Sequence, residues 1–306
     1  MQVLEVVLGG TGGTMPLKNR WLCCCWMRQQ GKTLLIDCGE GTQIALKCAG
    51  ISFQGIDILC ITHYHADHIS GLVGLLLSMG NEGRTAPLTI IGPKGLIRTV
   101  TGLRVIAPEL PFALELHELT EDSAAFPFGD AVLTAFAVRH TMPCYGYSVT
   151  LPRAGKFDVA RAAAAGIPQK YWSPLQKQLT VTAEDGTVYH QSQVLGEPRK
   201  GLKVTYCTDT RPIPAIAKYA DSSDLFICEG MYGDPEKLEK AVETAHMLFS
   251  EAAQLALLAN VGQLWLTHFS PSLPDPDAYL PNAREMFPNT VCGKDGMELT
   301  LRFSED

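Results

Sequence analysis

Three imidazoles and a carboxylate fall within six residues, His63-Tyr64-His65-Ala66-Asp67-His68, directly after the apolar run Ile58-Leu59-Cys60-Ile61. The chain has only 8 histidines in 306 residues, so three in one hexapeptide is a concentration that chance rarely gives. Neutral imidazole nitrogen and carboxylate oxygen are the ligands of a catalytic zinc, which keeps one position open for water. A strand ending in such a cluster carries them to the rim of a sheet, where a cation can sit. Three more polar residues follow apolar runs in the same way. His140 follows the alternating residues 132–138, Asp209 follows Val204-Thr205-Tyr206-Cys207, and His268 follows Leu264-Trp265-Leu266-Thr267. Each alone reads as a cap or a surface residue; with the hexapeptide they supply enough ligands for two metal ions and one bridging carboxylate. Two ions about 3.5–4 Å apart stabilise both the attacking and the leaving oxygen of a displacement. A bound water whose pKa is lowered to about 7 is a nucleophile at neutral pH. The hard carboxylates also suit manganese or iron.

The elements that must position these groups alternate between strand and helix. Residues 4–8, 22–27 and 33–37 read as strands, 42–48 as a helix and 58–61 as the strand that delivers the hexapeptide. Residues 69–79 have helical apolar spacing. A strand at 88–91 and a helix near 96–103 follow, then period-two alternation at 132–138 and 145–151. After residue 200 the alternation resumes, with apolar runs at 204–207, 213–219, 225–228, 251–261, 263–267 and 298–303. Mixed strands with interspersed helices imply an α/β layered architecture. No linker separates two domains, so residues 1–306 read as one domain. Residues 153–200 break the rhythm with an Ala-rich piece, Trp172-Ser173-Pro174 and a turn at Asp185-Gly186, and read as an inserted arm.

Composition narrows the class. An apolar content of 46% with 19% charged residues suits a globular enzyme with a sizeable core. No apolar run is long enough to span a bilayer, and residues 1–8 alternate like a first strand rather than a signal peptide. The expected location is the cytoplasm. Most of the 10 cysteines lie inside apolar runs and none forms a CxxC pair, so they read as packing residues of a reducing compartment. The net charge of −7 argues against a generic nucleic-acid binder, but it is unevenly spread. The stretch 153–203 carries eight basic and four acidic residues, a local +4 on a body of −11. Such a patch can attract phosphates at one place; a solvated surface insertion would look the same.

The motifs together resemble those of the metallo-β-lactamase fold, and within it the ribonuclease Z (tRNA 3′-endonuclease) family. The resemblance rests on the His63–His68 pattern with His140, Asp209 and His268. It rests also on Leu8-Gly9-Gly10-Thr11-Gly12-Gly13 with Pro16-Leu17-Lys18-Asn19-Arg20, and on Ile36-Asp37-Cys38-Gly39-Glu40-Gly41-Thr42-Gln43. Ile91-Gly92-Pro93-Lys94-Gly95, Tyr206-Cys207-Thr208-Asp209-Thr210-Arg211 and Leu266-Thr267-His268-Phe269-Ser270 complete it, in order, over residues 3–303. Two places depart from the family pattern: Cys228-Glu229-Gly230-Met231 stands where His-Glu-Ala-Thr is usual, and Met247-Leu248 follows His246 where Ser-Thr is usual. The arm lacks the family's Gly-Pro tip.

The resemblance implies an αββα sandwich, two mixed β-sheets between helical layers, with an inserted arm. It implies two Zn2+ per chain, with Mn2+ or Fe2+ as alternatives. His63, His65 and His140 would hold one ion, Asp67, His68 and His268 the other, and Asp209 would bridge. Asp67 would also orient the attacking hydroxide; His246, fixed by Glu229, would act at the phosphate as electrophile or leaving-group acid. Lys18 and Arg20 would touch the acceptor end of the substrate. The implied activity is a metal-dependent phosphodiesterase that removes 3′ trailers from precursor tRNA, as a homodimer in which one subunit's arm serves the other's site. A di-metal phosphodiesterase acting on small or cyclic nucleotide diesters is the alternative, and a metal-binding RNA chaperone without turnover is a third reading. His117 and His190 match nothing and read as surface residues.

Overall fold

The computed structural model describes residues 3–304; Met1 and Gln2, which the sequence places in the opening strand, lie outside them. Among the described residues, sixteen strands follow one another as β1 (Val3–Gly10), β2 (Cys24–Gln29), β3 (Lys32–Ile36), β4 (Ile58–Cys60), β5 (Leu88–Pro93), β6 (Leu114–Leu119), β7 (Ser123–Phe128) and β8 (Ala131–Arg139). The series continues with β9 (Pro143–Arg153), β10 (Thr180–Thr182), β11 (Val188–His190), β12 (Arg199–Cys207), β13 (Leu225–Glu229), β14 (Leu264–Thr267), β15 (Thr290–Cys292) and β16 (Glu298–Arg302). The chain divides into two compact units, a body of residues 1–151 and 202–306 and an arm of residues 152–201.

In the body, one seven-stranded sheet has the order β16-β1-β2-β3-β4-β5-β6 and the other β15-β14-β13-β12-β9-β8-β7. Both are mixed. Strands β1–β3 pair antiparallel and β3–β6 parallel; β7–β9 pair antiparallel and β12–β15 parallel. The parallel strands are covered on both faces, which is why Leu225–Glu229 and Leu264–Thr267 carry no outward polar alternation. Between the sheets, Leu8, Met27 and Ile36 of the first meet Leu133, Tyr147, Val204 and Trp265 of the second. On the outer face of the first sheet, Leu46, Leu72, Leu76 and Val100 from helices cover Trp26, Leu59 and Ile90. Ile216, Ala252, Leu255 and Ala256 do the same for Phe136, Phe226 and Leu266 of the second. The body is thus the αββα sandwich expected from the sequence.

Two expectations need adjustment. Residues 114–128 form β6 and β7, for which the sequence reading gave no element. They are the outermost strands of the two sheets, half exposed, with polar residues and Pro127 interleaved, and such edges lack the apolar continuity that marks an interior strand. The run 69–79 is not one helix. Gly71 parts a single turn at Ala66–Ile69, which carries Asp67 and His68, from the longer helix Leu72–Asn81.

The arm has its own small core. Ala162, Ile167, Leu175 and Val194 are buried, with Phe157, Trp172, Val181 and Tyr189 packed on them. Asp158 caps the helix Val159–Ala164 by accepting from the Arg161 amide at 3.0 Å. β10 and β11 pair as a hairpin turned at Gly186, where φ is 86°. Ion pairs Lys170–Glu184 at 2.9 Å and Arg161–Glu197 at 3.0 Å lie on its surface and add little stability. Among the described residues, no helix is long and apolar enough to cross a membrane.

Two bonds from β9 fix the end of β4. The Tyr147 hydroxyl donates to the Ile61 carbonyl at 2.8 Å and the Tyr145 amide to the Thr62 carbonyl at 3.0 Å. Tyr147 is fully buried. Tyr147→Phe should lower the unfolding free energy by about 1–3 kcal/mol, because it strands a buried acceptor. Urea denaturation is the check, and an unchanged midpoint would show that this bond does not hold the loop.

Candidate metal centre

The hexapeptide leaves β4 and turns at once into the short helix Ala66–Ile69, so His63, His65, Asp67 and His68 converge instead of alternating across a strand. Asp209 and His268 sit just past the C-terminal ends of parallel strands β12 and β14, at φ of 51° and 56°. Asp37, at the end of β3, has φ of 63°. The left-handed region is uncommon for residues other than glycine, and its use at successive strand ends aims these side chains inward. Two glycines permit the close approach of the loops. A Cβ on Gly39 would lie 2.1 Å from the Asp67 carbonyl oxygen, and one on Gly71 would lie 1.9 Å from that of Gly39.

Seven side chains form two four-atom groups that share Asp209. In the first, His63 Nε2 lies 2.9 Å from His65 Nδ1, which lies 3.2 Å from His140 Nε2. Asp209 Oδ2 completes it, 3.6 Å from His63 and 3.8 Å from His140. In the second, Asp67 Oδ2 is 3.5 Å from His68 Nε2 and 3.4 Å from His268 Nε2. Those two nitrogens are 3.3 Å apart, and Asp209 Oδ1 is 3.3 and 3.2 Å from them. A tetrahedral ion with bonds of about 2.0–2.2 Å needs ligand atoms about 3.3–3.6 Å apart; the second group matches those edges, and the first, at 2.9 to 3.8 Å, straddles them.

The protonation states fit a cation too. Burial holds His63, His65 and His140 below the ordinary imidazole range, as neutral lone-pair donors. Burial alone would raise Asp67 and Asp209, but the surrounding imidazoles overturn it and hold both carboxyls well below the usual range. His68 goes the other way: burial would lower it, and the charges of Asp209 and Asp37 raise it. A proton on its Nε2 and a dication compete for one lone pair.

The outward nitrogens are mostly tied down. His68 Nδ1 donates to Asp37 Oδ2 at 2.8 Å, and His140 Nδ1 to the Ala245 carbonyl at 3.1 Å. His63 Nδ1 meets the Thr62 hydroxyl at 3.1 Å, which donates onward to Asp37 at 2.9 Å. These bonds place the tautomers so that Nε2 faces the cluster. His268 Nδ1 has no such partner. Thr14, at φ 69°, donates its amide to Asp67 Oδ2 at 2.6 Å. Cys23 also lies near His68 and His268, but its Sγ is 3.9 Å from Nδ1, the nitrogen Asp37 occupies, and burial pushes its thiol up to about 11. It is a packing residue.

His246 stands beside the shared carboxylate, Nδ1 4.0 Å from Asp209 Oδ2 and 3.1 Å from Glu229 Oε2. Glu229 is fully buried, and its oxygens also accept the amides of Met247, at 3.1 Å, and Thr210. Burial would lower His246, but the charge and hydrogen bond of Glu229, with Asp209 behind, push it up to about 9. That environment favours the imidazolium at neutral pH.

A family model described as Anti-Pycsar protein Apyc1 matches residues 4–155. A ribonuclease Z of Agathobacter rectalis is 57% identical over 304 residues, 99% of this chain and 100% of that protein. The chain belongs to the ribonuclease Z family. The crystal structure of a human tRNase Z, short form, superposes with a TM-score of 0.70 at 25% identity, covering 96% of this chain and 98% of that one. The metallo-β-lactamase fold protein YhfI of Bacillus subtilis gives 0.71 at 19% identity over 98% and 100%, a likeness of fold.

In this ribonuclease Z family member, two of the sequence-marked residues stay outside the cluster. The Arg20 guanidinium donates to the carbonyls of Leu273 and Pro274 at 2.9 and 3.1 Å, and lies 5.6 Å over the Phe269 ring. Lys18 is exposed, as are His117 and His190. Asp37 and Thr62 are supporting residues to which the sequence reading gives no role, although Asp37 lies inside the quoted run from Ile36 to Gln43. A lone acid closing the apolar strand 33–36 was the signal available for Asp37. Asp37→Ala should weaken the ion held by His68 by about 10–100-fold, the usual cost of losing such a partner. Competition with a chromophoric chelator reads this directly; two unchanged binding constants would remove Asp37 from the centre.

Proposed function

We propose that this member of the ribonuclease Z family cuts precursor tRNA after the discriminator base, removing the 3′ trailer and leaving a 3′-hydroxyl on the tRNA. The observation that carries the reading is the Glu229–His246 pair beside Asp209. Two ligand groups sharing a carboxylate suit any diester hydrolysis, but a buried imidazolium next to them suits a poor, alkoxide-like leaving oxygen such as a ribose 3′-oxygen.

We assign Zn2+ to both groups, since each offers four nitrogen and oxygen ligands, the donor set and number of a tetrahedral zinc site. His63, His65, His140 and Asp209 would hold one ion, and Asp67, His68, His268 and Asp209 the other. When bound, the pair neutralises phosphate charge and supplies an acidified water as nucleophile. Asp67, anchored at Oδ2 by Thr14, orients that water toward phosphorus. His246 keeps Nδ1 on Glu229 and gives its Nε2 proton to the departing 3′-oxygen; Glu229 stabilises the imidazolium before transfer and sets its tautomer. Lys18 and Arg20 lie on the loop that receives the acceptor end. Residues 153–200 are an insertion in a single catalytic domain. The arm grips the tRNA body through its basic residues, making affinity salt-dependent. The protein works in the cytoplasm as a homodimer in which each arm serves the partner's site. Hydrolysis of small diesters is the second reading, favoured by one fact: every ligand, His246 and Glu229 lie in the body unit and none in the arm.

Incubation with a 3′-extended tRNA transcript should give one cut and a mature 3′-hydroxyl. Brisk bis-aryl phosphate turnover without tRNA cleavage would sink the tRNA reading. Deleting residues 155–200 should abolish tRNA cleavage and spare the aryl diester, whereas His140→Ala should abolish both. Cleavage of RNA should fall as pH rises through about 9, where His246 loses its proton. Bound cations pull that limb lower, because they disfavour the imidazolium. The limb should vanish in His246→Gln, and its persistence there would remove His246 from the proton transfer.

A further inference from the structure

His246 belongs to no helix or strand. It follows Ala245, at φ 57°, and precedes the helix Phe249–Leu258. Glu229 fixes its ring, and its backbone is held by another residue. The Arg211 guanidinium donates to the His246 carbonyl through one terminal nitrogen. Both terminal nitrogens also engage Glu251, Nη1 to Oε2 at 3.0 Å and Nη2 to Oε1. Glu251 Oε2 in turn accepts the Leu248 amide at 2.8 Å, at the start of that helix. The pair is largely shielded, with side-chain exposures of 16% and 20%. Arg211 stands two residues after Asp209, and its amide donates to the Arg139 carbonyl at 2.9 Å, one residue before His140. One guanidinium therefore ties the turn bearing the shared carboxylate to the backbone of the proton donor.

We propose that Arg211, held by Glu251, is a positioning residue that sets His246 at its working offset from Asp209. This rests on the reading of His246 as the leaving-group acid. A planar fork gripping a carboxylate at two points and a carbonyl at a third fixes direction as well as distance, which an ammonium cannot do. The plainer role, a cap that merely stabilises the helix Phe249–Leu258, makes different predictions.

Arg211→Met is compared with His246→Ala on two substrates in the metal-loaded protein. An aryl diester has a good leaving group and needs little proton donation; the ribose oxygen of RNA needs much. Arg211→Met should lower kcat on 3′-extended tRNA by about 10–100-fold with KM within about threefold. On the aryl diester the loss should stay within about threefold, with metal content unchanged. In the His246→Ala background, adding Arg211→Met should cost nothing further, because residues acting as a unit are not additive. Equal losses on both substrates, or multiplying losses in the double variant, would assign Arg211 to stability alone and overturn the proposal. His246→Ala without the substrate dependence would overturn the acid role and the proposal with it. Should Arg211→Met fail to fold, Arg211→Lys and Glu251→Gln carry the same comparison, with the same outcomes deciding.

Discussion

Asp209 gives one carboxylate oxygen to each of two ligand groups while almost wholly buried. A charge taken out of water to that degree is stable only where opposite charge, hydrogen-bond donors or a metal ion offsets it. Imidazoles from three separate stretches supply the surroundings: the hexapeptide, His140 and His268. The position of one turn after β12 therefore constrains where β4, β8 and β14 must end. Each neighbouring loop is shaped by that demand, down to Gly39 and Gly71, whose missing side chains let two of the loops touch. Repulsion among the ligands is the other side of the constraint, and it makes the site a place that draws in dications.

Strand ends do the positioning. Both sheets place parallel strands next to the centre, so that C-terminal ends open toward the same rim, the usual location of sites in layered α/β folds. Asp37, Asp209 and His268 each spend a left-handed residue at such an end. Strain of this kind persists only where packing over-determines it, and here strands of the inter-sheet core lie immediately behind. Tyr147 extends the same logic between the two sheets, holding the carbonyl of Ile61 just before the ligands begin.

The sequence made the His/Asp cluster legible because metal chemistry demands particular side chains at particular spacing. His63 to His68 could be read alone, and His140, Asp209 and His268 gained meaning beside it. The supporting residues were harder to see. Asp37 and Thr62 act through other residues, and a buried acid or a threonine at a strand end has many ordinary explanations. Arg211 lay inside a quoted motif, yet nothing local reveals that its fork reaches a residue 35 positions away. The edge strands β6 and β7 stayed hidden because half-exposed segments tolerate the polar residues that blur a strand's pattern. The adjustment at Gly71 is of the same kind: apolar spacing continues through it, while the backbone does not.

The arm, finally, is a contiguous stretch that leaves the body after Leu151 and rejoins it at Leu202, between β9 and β12, which are neighbours in one sheet. Insertions whose two ends already lie close together add little loop-closure entropy. The arm also carries its own buried cluster around Ala162, Ile167, Leu175 and Val194. A segment with those two properties is a cassette. It can drift in sequence, lengthen or be exchanged for another while the strand ends that carry the His/Asp cluster, all in the body, keep their own packing.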